Sequence, residues 1–541
     1  MSPDLKAPNV ATILLVVGTG GFTHAAPVLE LGRILAQRGH RVVFATHRGQ
    51  EKWVESAYYG FVSEVYTMGE PMAHDQEAAH YLDMQHSDPR KDYRGYFRPK
   101  FAVDSFWTSD FICLKDIVPK CRPDMIVADF FVDAVRDIQR QTGIPVAMVW
   151  PQMPYGMAGA SYIPGMPGFQ IDALSSEHAS LWTRLRAELR PLRALPAIFP
   201  YLGFIRRMRR AAGVHYSLPA LNKPGYLVLV NSFWGLETPK DLPPLIAAVG
   251  PILADEYPPL EGAAESFLSS HQHVVYVSFG THIQLQPCHL ERFLAAFSTL
   301  FTEGLIDGVI WAANEAQSRL FDSKQTVQVG ARNVLVRDIL QNNDASWYFT
   351  PFAPQRAILD RPETVLFVTH GGGSSVNEAL FHGTPMLGLG FFFDQPLNGL
   401  RIQEAGVGLA LDKAGFSETE IVDKCRAILE DKHGTFAQDV ERMRRIARVS
   451  SRKKHYAADL IEEVMYDRMF SLNPPGDADH ATGHGSRQTV AGRCRPMHLQ
   501  TADARMSAWR AKNWDLTCLW GVTVAGIIGV GYFTYLRLSR R

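Results

Sequence analysis

Residues 367–375 read FVTHGGGSS, a run that predicts a strand, a glycine turn and the start of a helix. Glycines let a backbone approach a ligand closely, and the first turn of a helix presents unpaired N–H groups with partial positive charge. His370, Ser374 and Ser375 add side-chain donors. We therefore expect a diphosphate to bind at this turn, with the helix beginning near Ser374; packing alone is the alternative role for such a turn.

Polar and aromatic residues on both sides of this turn extend the predicted site. Downstream, a strand at 385–389 leads to Asp394 and Gln395, and a carboxylate beside an amide can bind neighbouring hydroxyls of a sugar ring. Upstream, Phe352 offers an aromatic face for a base and Gln355 offers an amide for the edge of that base. The segment 352–395 thus combines groups suited to a base, a diphosphate and a sugar.

Short apolar runs rich in β-branched residues alternate with helical stretches along the whole chain, a pattern typical of parallel sheets covered on both faces. The predicted strands are 11–17, 41–46, 125–128, 146–150, 226–231, 274–278, 308–312, 365–369 and 385–389. A Pro-rich passage from 239 to 259 separates two such series. We expect an N-terminal domain (1–240), a linker (241–262) and a C-terminal domain (263–470), both α/β and facing across a cleft.

A second glycine cluster, residues 18–24 with the sequence GTGGFTH, follows the first predicted strand and precedes a helix. Alone it is a weak dinucleotide-type signal, and a histidine there often caps a helix. Asp129 ends a later predicted strand, where a carboxylate can also serve as a turn or cap residue. A catalytic role for His24 and Asp129 is therefore indicated only in combination with the C-terminal motif.

The stretch from Phe352 to Gln395 closely resembles the donor-binding signature of the UDP-dependent glycosyltransferases that act on small lipophilic molecules, and the resemblance extends over roughly residues 10–465. It implies the GT-B architecture of two Rossmann-like domains. It also implies that His24 is the general base and Asp129 its partner. The donor-binding residues implied by the signature and its glycine turns are Gly280, Thr281, Phe352, Gln355, His370, Gly372, Ser374, Ser375, Glu378, Asp394 and Gln395.

Within this resemblance, His370, Ser375 and Thr281 contact the phosphates, and Glu378 holds the ribose hydroxyls. Asp394 and Gln395 hold the sugar, while Phe352 and Gln355 lie at the uracil. Two departures stand out: Phe352 replaces a common Trp, and Gly373-Ser374 replaces a common Trp-Asn pair. Neither removes a group that the chemistry requires.

The chemistry implied is an inverting transfer of a hexose, with glucose favoured, from a UDP-sugar co-substrate to a hydroxyl of a small lipophilic acceptor. Neutral His24 takes the hydroxyl proton, since an imidazole pKa near about 6.5 suits a base at neutral pH. Asp129 fixes the tautomer and stabilises the imidazolium. We expect no cofactor and no metal: the six cysteines are scattered, with no CxxC and no His/Cys cluster at ligand spacing. A formal net charge of +0 disfavours a nucleic-acid partner.

The C-terminus differs from the rest of the chain. Residues 516–536 contain no charged side chain, a length sufficient to cross a bilayer, with Trp and Tyr near the borders. We expect residues 514–541 to form a single-pass anchor after a flexible tether at 471–513. With no signal peptide recognised, the catalytic domains are expected in the cytosol, at the endoplasmic reticulum or another intracellular membrane.

Aromatic, Met- and Pro-rich sequence at 70–110 and 151–215 interrupts the strand–helix rhythm, and we interpret it as irregular insertions that line an acceptor pocket. The pocket candidates are Phe97, Phe101, Phe106, Trp107, Trp150, Met153, Tyr155, Met157 and Tyr162. The basic run 206–210 suits either anionic headgroups or a solvated helix face. Three other functions stay open: sugar epimerisation, synthesis of lipid-linked saccharides, and a non-catalytic UDP-sugar sensor at a membrane.

Overall fold

The computed structural model describes residues 10–88, 93–154, 156–163, 174–216, 223–470, 496 and 498–540. The strands are β1 (Thr12–Val17), β2 (Arg41–Thr46), β3 (Val62–Thr67), β4 (Met125–Asp129), β5 (Val146–Trp150), β6 (Leu227–Val230), β7 (Ile246–Ala248), β8 (Val274–Ser278), β9 (Gly308–Ala312), β10 (Thr326–Val329), β11 (Arg332–Leu335), β12 (Trp347–Thr350), β13 (Thr364–Thr369), β14 (Met386–Gly390) and β15 (Gly408–Asp412).

The α-helices are α1 (Phe22–Gln37), α2 (His74–His86), α3 (Tyr93–Asp104), α4 (Trp107–Cys121), α5 (Ala134–Thr142), α6 (Leu181–Ala211), α7 (Gly262–Ser269), α8 (Pro287–Thr302), α9 (Glu315–Ser318), α10 (Val336–Leu340), α11 (Gln355–Leu359), α12 (Gly373–His382), α13 (Gln395–Glu404), α14 (Glu418–Glu430), α15 (Thr435–Ser450), α16 (Lys453–Met469), α17 (Ala508–Ala511) and α18 (Trp514–Ser539). Short 3-10 turns lie at Glu51–Val54, Ala57–Tyr59 and Ala502–Arg505.

The first sheet has seven parallel strands in the order β3-β2-β1-β4-β5-β6-β7. Successive residues of β1 pack into opposite cores: Leu14 joins the helices on one face, and Ile13 joins those on the other. Such burial on both faces explains the continuous apolar runs in the sequence. Strand β7 lies inside the predicted linker, so the first sheet extends past residue 240.

The second sheet has six parallel strands in the order β12-β9-β8-β13-β14-β15, and it too is buried on both faces. The predicted architecture of two α/β domains is confirmed. The loops that carry the predicted site residues follow the carboxyl ends of β1, β4, β8, β12, β13 and β14. Because carboxyl ends of parallel strands meet at one edge, each sheet presents its site loops together.

The two interrupting segments are largely helical, which corrects the expectation of irregular insertions. Residues 70–110 include α2, α3 and the start of α4, and residues 181–211 form α6 with three internal prolines. Proline lacks an N–H donor and disfavours a helix interior, so the prolines in this segment predicted interruptions of any helix. The packing of α6 against α3 supports the helix in spite of those prolines.

Helix α16 belongs to the second half of the sequence but packs on the first domain. Ala457, Ile461 and Val464 are buried against the core that includes β1. Lys454 Nζ donates to Glu30 Oε1 and to Asp255 Oδ1, both at 2.6 Å. The chain therefore crosses between the domains a second time at its end.

Among the described residues, one helix, α18, is long and apolar enough to cross a membrane; its mean hydropathy is 1.7 and none of its most apolar window is buried. Residues 471–495 of the predicted tether and the pocket candidate Tyr155 lie outside the described residues. The described part of the tether contacts the first domain and α16. Lys223 Nζ lies 2.8 Å from Asp503 Oδ2, and His498 contacts Glu463 and Asp467 of α16.

Candidate active site

A cavity of about 1850 Å³ lies between the facing carboxyl edges of the two sheets. Every site residue predicted from the sequence lines it, from His24 and Asp129 in the first domain to the donor set of the second. The roles given to these residues stay predictions, whereas their convergence in one cleft is a finding. The geometry of each part shows what the cleft can do chemically.

His24 and Asp129 form a hydrogen-bonded pair because β1 and β4 are neighbours in the first sheet. His24 Nδ1 lies 2.9 Å from Asp129 Oδ1, and the Phe131 N–H donates to Asp129 Oδ2 at 3.0 Å. A side chain at Gly20, whose φ is 104°, would place a Cβ 2.5 Å from His24 Cδ2. The glycine turn thus makes room for the imidazole, and Asp129 leaves Nε2 for a ligand in the cavity.

The environment of His24 favours its protonated form. Burial lowers the pKa of His24, but the Asp129 carboxylate and its hydrogen bond raise it by more, so the net pKa is raised above its ordinary value. The Asp394 carboxylate of the second domain also raises this pKa. His24 therefore has the character of a strengthened base positioned between two carboxylates.

The glycine turn at 371–373 is closely packed around His370. A Cβ at Gly372 would lie 2.4 Å from His370 Nε2, and a Cβ at Gly280 would lie 3.0 Å from His370 Cε1. Helix α12 begins at Gly373, one residue before the predicted start, and its first turn borders the cavity with Ser374 and Ser375. The arrangement suits an oxyanion bound by backbone N–H groups.

His370 contributes as a neutral group. Burial and, to a smaller extent, the neighbouring His282 lower the pKa of His370 to about 4. His282 itself is stacked on Tyr81, with ring centroids 3.9 Å apart, and burial lowers its pKa to about 4 as well. Within the residues that the structure describes, no three His, Cys, Asp or Glu side chains form a group that could hold a metal ion.

Gln355 and Glu378 are joined in the structure. The Gln355 amide nitrogen donates to Glu378 Oε2 at 2.7 Å and to Ser375 Oγ at 3.2 Å, and Tyr276 donates to Gln355 Oε1 at 3.4 Å. Burial raises the pKa of Glu378. The groups predicted for the uracil and the ribose therefore form one continuous polar surface. Phe352, at the rim of this surface, is 78% exposed.

Asp394 and Gln395 follow β14 through a tight turn in which Phe393 has a φ of 51°. Gln395 Oε1 accepts from the Phe391 and Phe392 N–H groups at 3.0 and 3.3 Å, so its amide nitrogen is the group left for a sugar hydroxyl. Asp394 Oδ2 accepts from Asn398 Nδ2 at 2.9 Å, and burial raises the pKa of Asp394.

A buried chain of polar contacts behind Asp394 escaped the sequence analysis. Asn398 Nδ2 also donates to the Gly371 carbonyl at 2.8 Å, and Arg401 donates to Asn398 Oδ1 at 2.9 Å. Arg401 is paired in turn with buried Glu237 at 2.6 Å. Asn398 lies only three positions after Gln395, but nothing in the sequence connected Arg401 with a glutamate more than 160 positions away.

The acceptor side of the cavity differs in part from the prediction. Phe97, Trp107, Trp150, Met153 and Met157 line the cavity. Three other pocket candidates lie outside its lining.

Phe101 packs on Tyr201 and Phe204, Phe106 packs on His47, and Tyr162 donates to the Pro239 carbonyl. These three candidates therefore serve packing and loop attachment. The cavity also contains charged residues that the prediction missed: Lys100, Asp104, Asp133, Arg136 and Arg209.

Comparison with known proteins places this geometry in context. Residues 216–449 match the family model described as UDP-glucoronosyl and UDP-glucosyl transferase. The chain is 42% identical to UDP-glycosyltransferase stmC of Aspergillus ustus, over 97% of each chain. It is 38% identical to UDP-glycosyltransferase FPY2 of Fusarium mangiferae, over 96% of this chain and 97% of the relative.

Solved structures share the architecture. A UDP-glucosyltransferase from Polygonum tinctorium, capable of glucosylating indoxyl, superposes with a TM-score of 0.56 at 17% sequence identity, covering 84% of this chain and 99% of the other. At that identity the likeness concerns the fold, which is the two-domain GT-B arrangement.

Proposed function

Because the chain belongs to the UDP-glycosyltransferase family, we propose that it moves a hexose, with glucose favoured, from a UDP-sugar to a hydroxyl group of a small, largely apolar acceptor. The observation that carries this proposal is the His24–Asp129 pair, 2.9 Å apart, in the same cavity as the glycine turn and Asp394. A base, a sugar-binding carboxylate and an oxyanion site then surround one reaction centre.

The proposed reaction is a single displacement. The acceptor hydroxyl gives its proton to His24 Nε2 while its oxygen forms a bond to the anomeric carbon. The bond from that carbon to the UDP oxygen breaks, and UDP leaves with the electron pair. Asp129 stabilises the imidazolium, and the first turn of α12 receives the charge of the leaving phosphate. Attack opposite the leaving group inverts the anomeric centre.

The lining of the cavity supports an apolar acceptor. The first-domain side of the cavity, which also holds His24, is lined by the apolar side chains of Phe97, Trp107, Trp150 and Met153. The named activity of the Polygonum tinctorium protein, glucosylation of indoxyl, concerns a small aromatic hydroxyl compound. Glucose and a small acceptor are compatible with that activity. The identity of 38% and 42% to UDP-glycosyltransferases over nearly the whole chain favours glycosyl transfer over the lipid-linked saccharide, epimerase and sensor alternatives.

The proposal includes no cofactor and no metal, since the diphosphate is to be bound by backbone N–H groups, neutral His370 and serine hydroxyls. It also includes membrane attachment through α18, with the catalytic domains in the cytosol. The described cysteines are all free, as is usual in a reducing compartment.

The test is UDP release by the full-length protein in mild detergent, with UDP-glucose and a panel of phenols, polyketides and sterols. We expect acceptor-dependent release that persists in EDTA, a β-linked product from the α-linked donor, and loss of turnover but not of donor binding in His24→Ala. Tight donor binding without turnover on any acceptor, unchanged by His24→Ala, would favour the sensor. An α-linked product would refute the single displacement.

A further inference from the structure

Helix α6 exposes an apolar stripe, interspersed with arginines, to solvent. Leu181 is 79% exposed and Phe199 is 64% exposed, values far above those of core residues. From Trp182 to Phe199 the exposed apolar residues recur every three or four positions, so they lie along one side of the helix over about 26 Å. They are Trp182, Leu185, Leu189, Leu192, Leu195 and Phe199, preceded by Leu181; Leu202 is also exposed but lines the cavity.

The same helix is strongly basic. It contains eight arginines and a single acidic residue, Glu188. The arginines at its exposed positions are Arg184, Arg186, Arg193, Arg206, Arg207 and Arg210. Arg209, from the basic run 206–210, is instead buried against Asp137. An exposed face that combines Leu, Trp and Phe with arginines is the composition of a helix that lies in a lipid interface.

The opposite side of α6 belongs to the protein interior. Ala194 and Ala197 are buried against α3, and Ile198, Tyr201 and Ile205 line the acceptor side of the cavity. The helix is therefore a wall with the cavity on one side and the apolar stripe on the other.

We infer that the exposed face of α6 lies on an anionic membrane surface, as a second contact beside the terminal helix. The apolar stripe enters the boundary between headgroups and acyl chains, and the arginines pair with lipid phosphates and carboxylates. This inference rests on the proposal that α18 spans the same bilayer.

The path of the chain places the two contacts at the same end of the first domain. Helix α6 ends at Ala211, shortly before Lys223, and Lys223 is paired with Asp503 just ahead of α18. Tyr216, shortly after α6, accepts from Gln141 of α5 at 3.5 Å. Gln139 of the same helix donates to the Gly225 carbonyl, two residues after Lys223, at 3.3 Å. Arg468 at the end of α16 donates to the carbonyl of Gly143, directly after α5. A membrane that receives α18 is thus within reach of α6. An acceptor dissolved in that membrane would meet the outer wall of the cavity.

Three positions with nearly equal exposure allow a matched test. Leu192 on α6 is 61% exposed, Leu519 on α18 is 62% exposed, and Val449 on α15 of the second domain is 60% exposed. A fluorescent amino acid is placed at one position at a time in the full-length chain. Each protein is reconstituted into phosphatidylcholine vesicles with and without phosphatidylserine, made from plain or brominated lipids, because bromine quenches only a fluorophore within the bilayer.

We expect bromine quenching at Leu192 and Leu519 but not at Val449, with the Leu192 quenching stronger when phosphatidylserine is present. Quenching at Leu519 alone overturns the inference while leaving the anchor intact. Quenching at Leu192 alone would show that α6 touches the bilayer without α18, which removes the anchor and with it the inference of a second contact beside that helix. Quenching at all three positions means nonspecific adsorption. A spectral shift at Leu192 that follows protein concentration and ignores bromine means that a second copy covers the stripe. Either of the last two results also overturns the inference.

Discussion

Replacing Asp129 by Asn tests whether the carboxylate orients His24 for proton transfer. The substitution preserves size in a site where Asp129 is only 2% exposed. If the new amide oxygen keeps the bond from the Phe131 N–H, its NH2 group faces His24 Nδ1. That nitrogen must then accept, the proton moves to Nε2, and the imidazole loses the lone pair that would take the acceptor proton.

The expected loss in kcat is about 10³- to 10⁴-fold, or about 4–5 kcal/mol of transition-state stabilisation, by analogy with the loss of tautomer control in a serine-protease triad. The pH profile adds a signature of its own. The Asp129 carboxylate raises the pKa of His24, so its removal lowers that pKa. The acid limb of kcat/KM, where protonated His24 is inactive, should move to lower pH.

The assay is initial-rate UDP release across pH, with calorimetric binding of the UDP-sugar as a check on the donor site. The chain offers a matched control: His47 and Asp110 form a buried pair at 2.8 Å that does not line the cavity. Asp110→Asn should lower thermal stability and leave kcat near wild type. If Asp129→Asn kept kcat within about tenfold while donor binding was intact, the orientation argument would be refuted.

Three further predictions concern the second domain. Arg401→Met should lower the free energy of unfolding by about 3–5 kcal/mol in urea titrations, because it leaves the charge of Glu237 buried without Arg401. It should also raise KM for the UDP-sugar, because Asn398 loses its bond from Arg401. Partial recovery of stability in the double variant with Glu237→Met checks the cause. Phe352→Ala should weaken UDP binding about tenfold with little change in Tm, since the exposed ring is predicted to stack on the uracil and has little protein to pack against. Unchanged binding would remove Phe352 from the site. Urea titrations should also show that the free energy of unfolding falls between about pH 6.5 and about pH 4, by up to about 3 kcal/mol per imidazole. In this range the histidines of the unfolded chain become protonated, whereas buried His282 and His370 stay neutral until the pH reaches their pKa of about 4. A flat profile would contradict the burial of neutral imidazoles.

Central strands were predictable because a strand that is buried on both faces has a continuous run of apolar residues. Arg41–Thr46, Val146–Trp150 and Val274–Ser278 were predicted with their observed bounds. The edge strand Val62–Thr67 was missed because neither of its faces is fully buried, so Ser, Glu and Thr interrupt its apolar residues. Strand Ile246–Ala248 was missed because only three residues pair, inside a Pro-rich passage.

The site was predictable where one motif carries several of its groups in order, as in 352–395. The His24–Asp129 contact depended on two strands being neighbours, which the family resemblance supplied and local pattern did not. The Glu237–Arg401 pair and the Gln355–Glu378 bond depend on tertiary packing alone. The helical state of α6 was hidden by Pro191, Pro196 and Pro200, which argue locally against the structure that packing selects.

The return of α16 to the first domain has a consequence for recombination within this family. The first domain, which we propose faces the acceptor, is not one continuous segment. It needs residues up to Ala248 and also the segment Lys453–Met469. A chimera that exchanges only the N-terminal half would set a foreign surface against Ala457 and Ile461 and would separate Lys454 from Glu30. We therefore expect a chimera to take on the acceptor preference of the donor protein only when both segments are exchanged together. The two segments are separated in the gene by the sequence of the second domain.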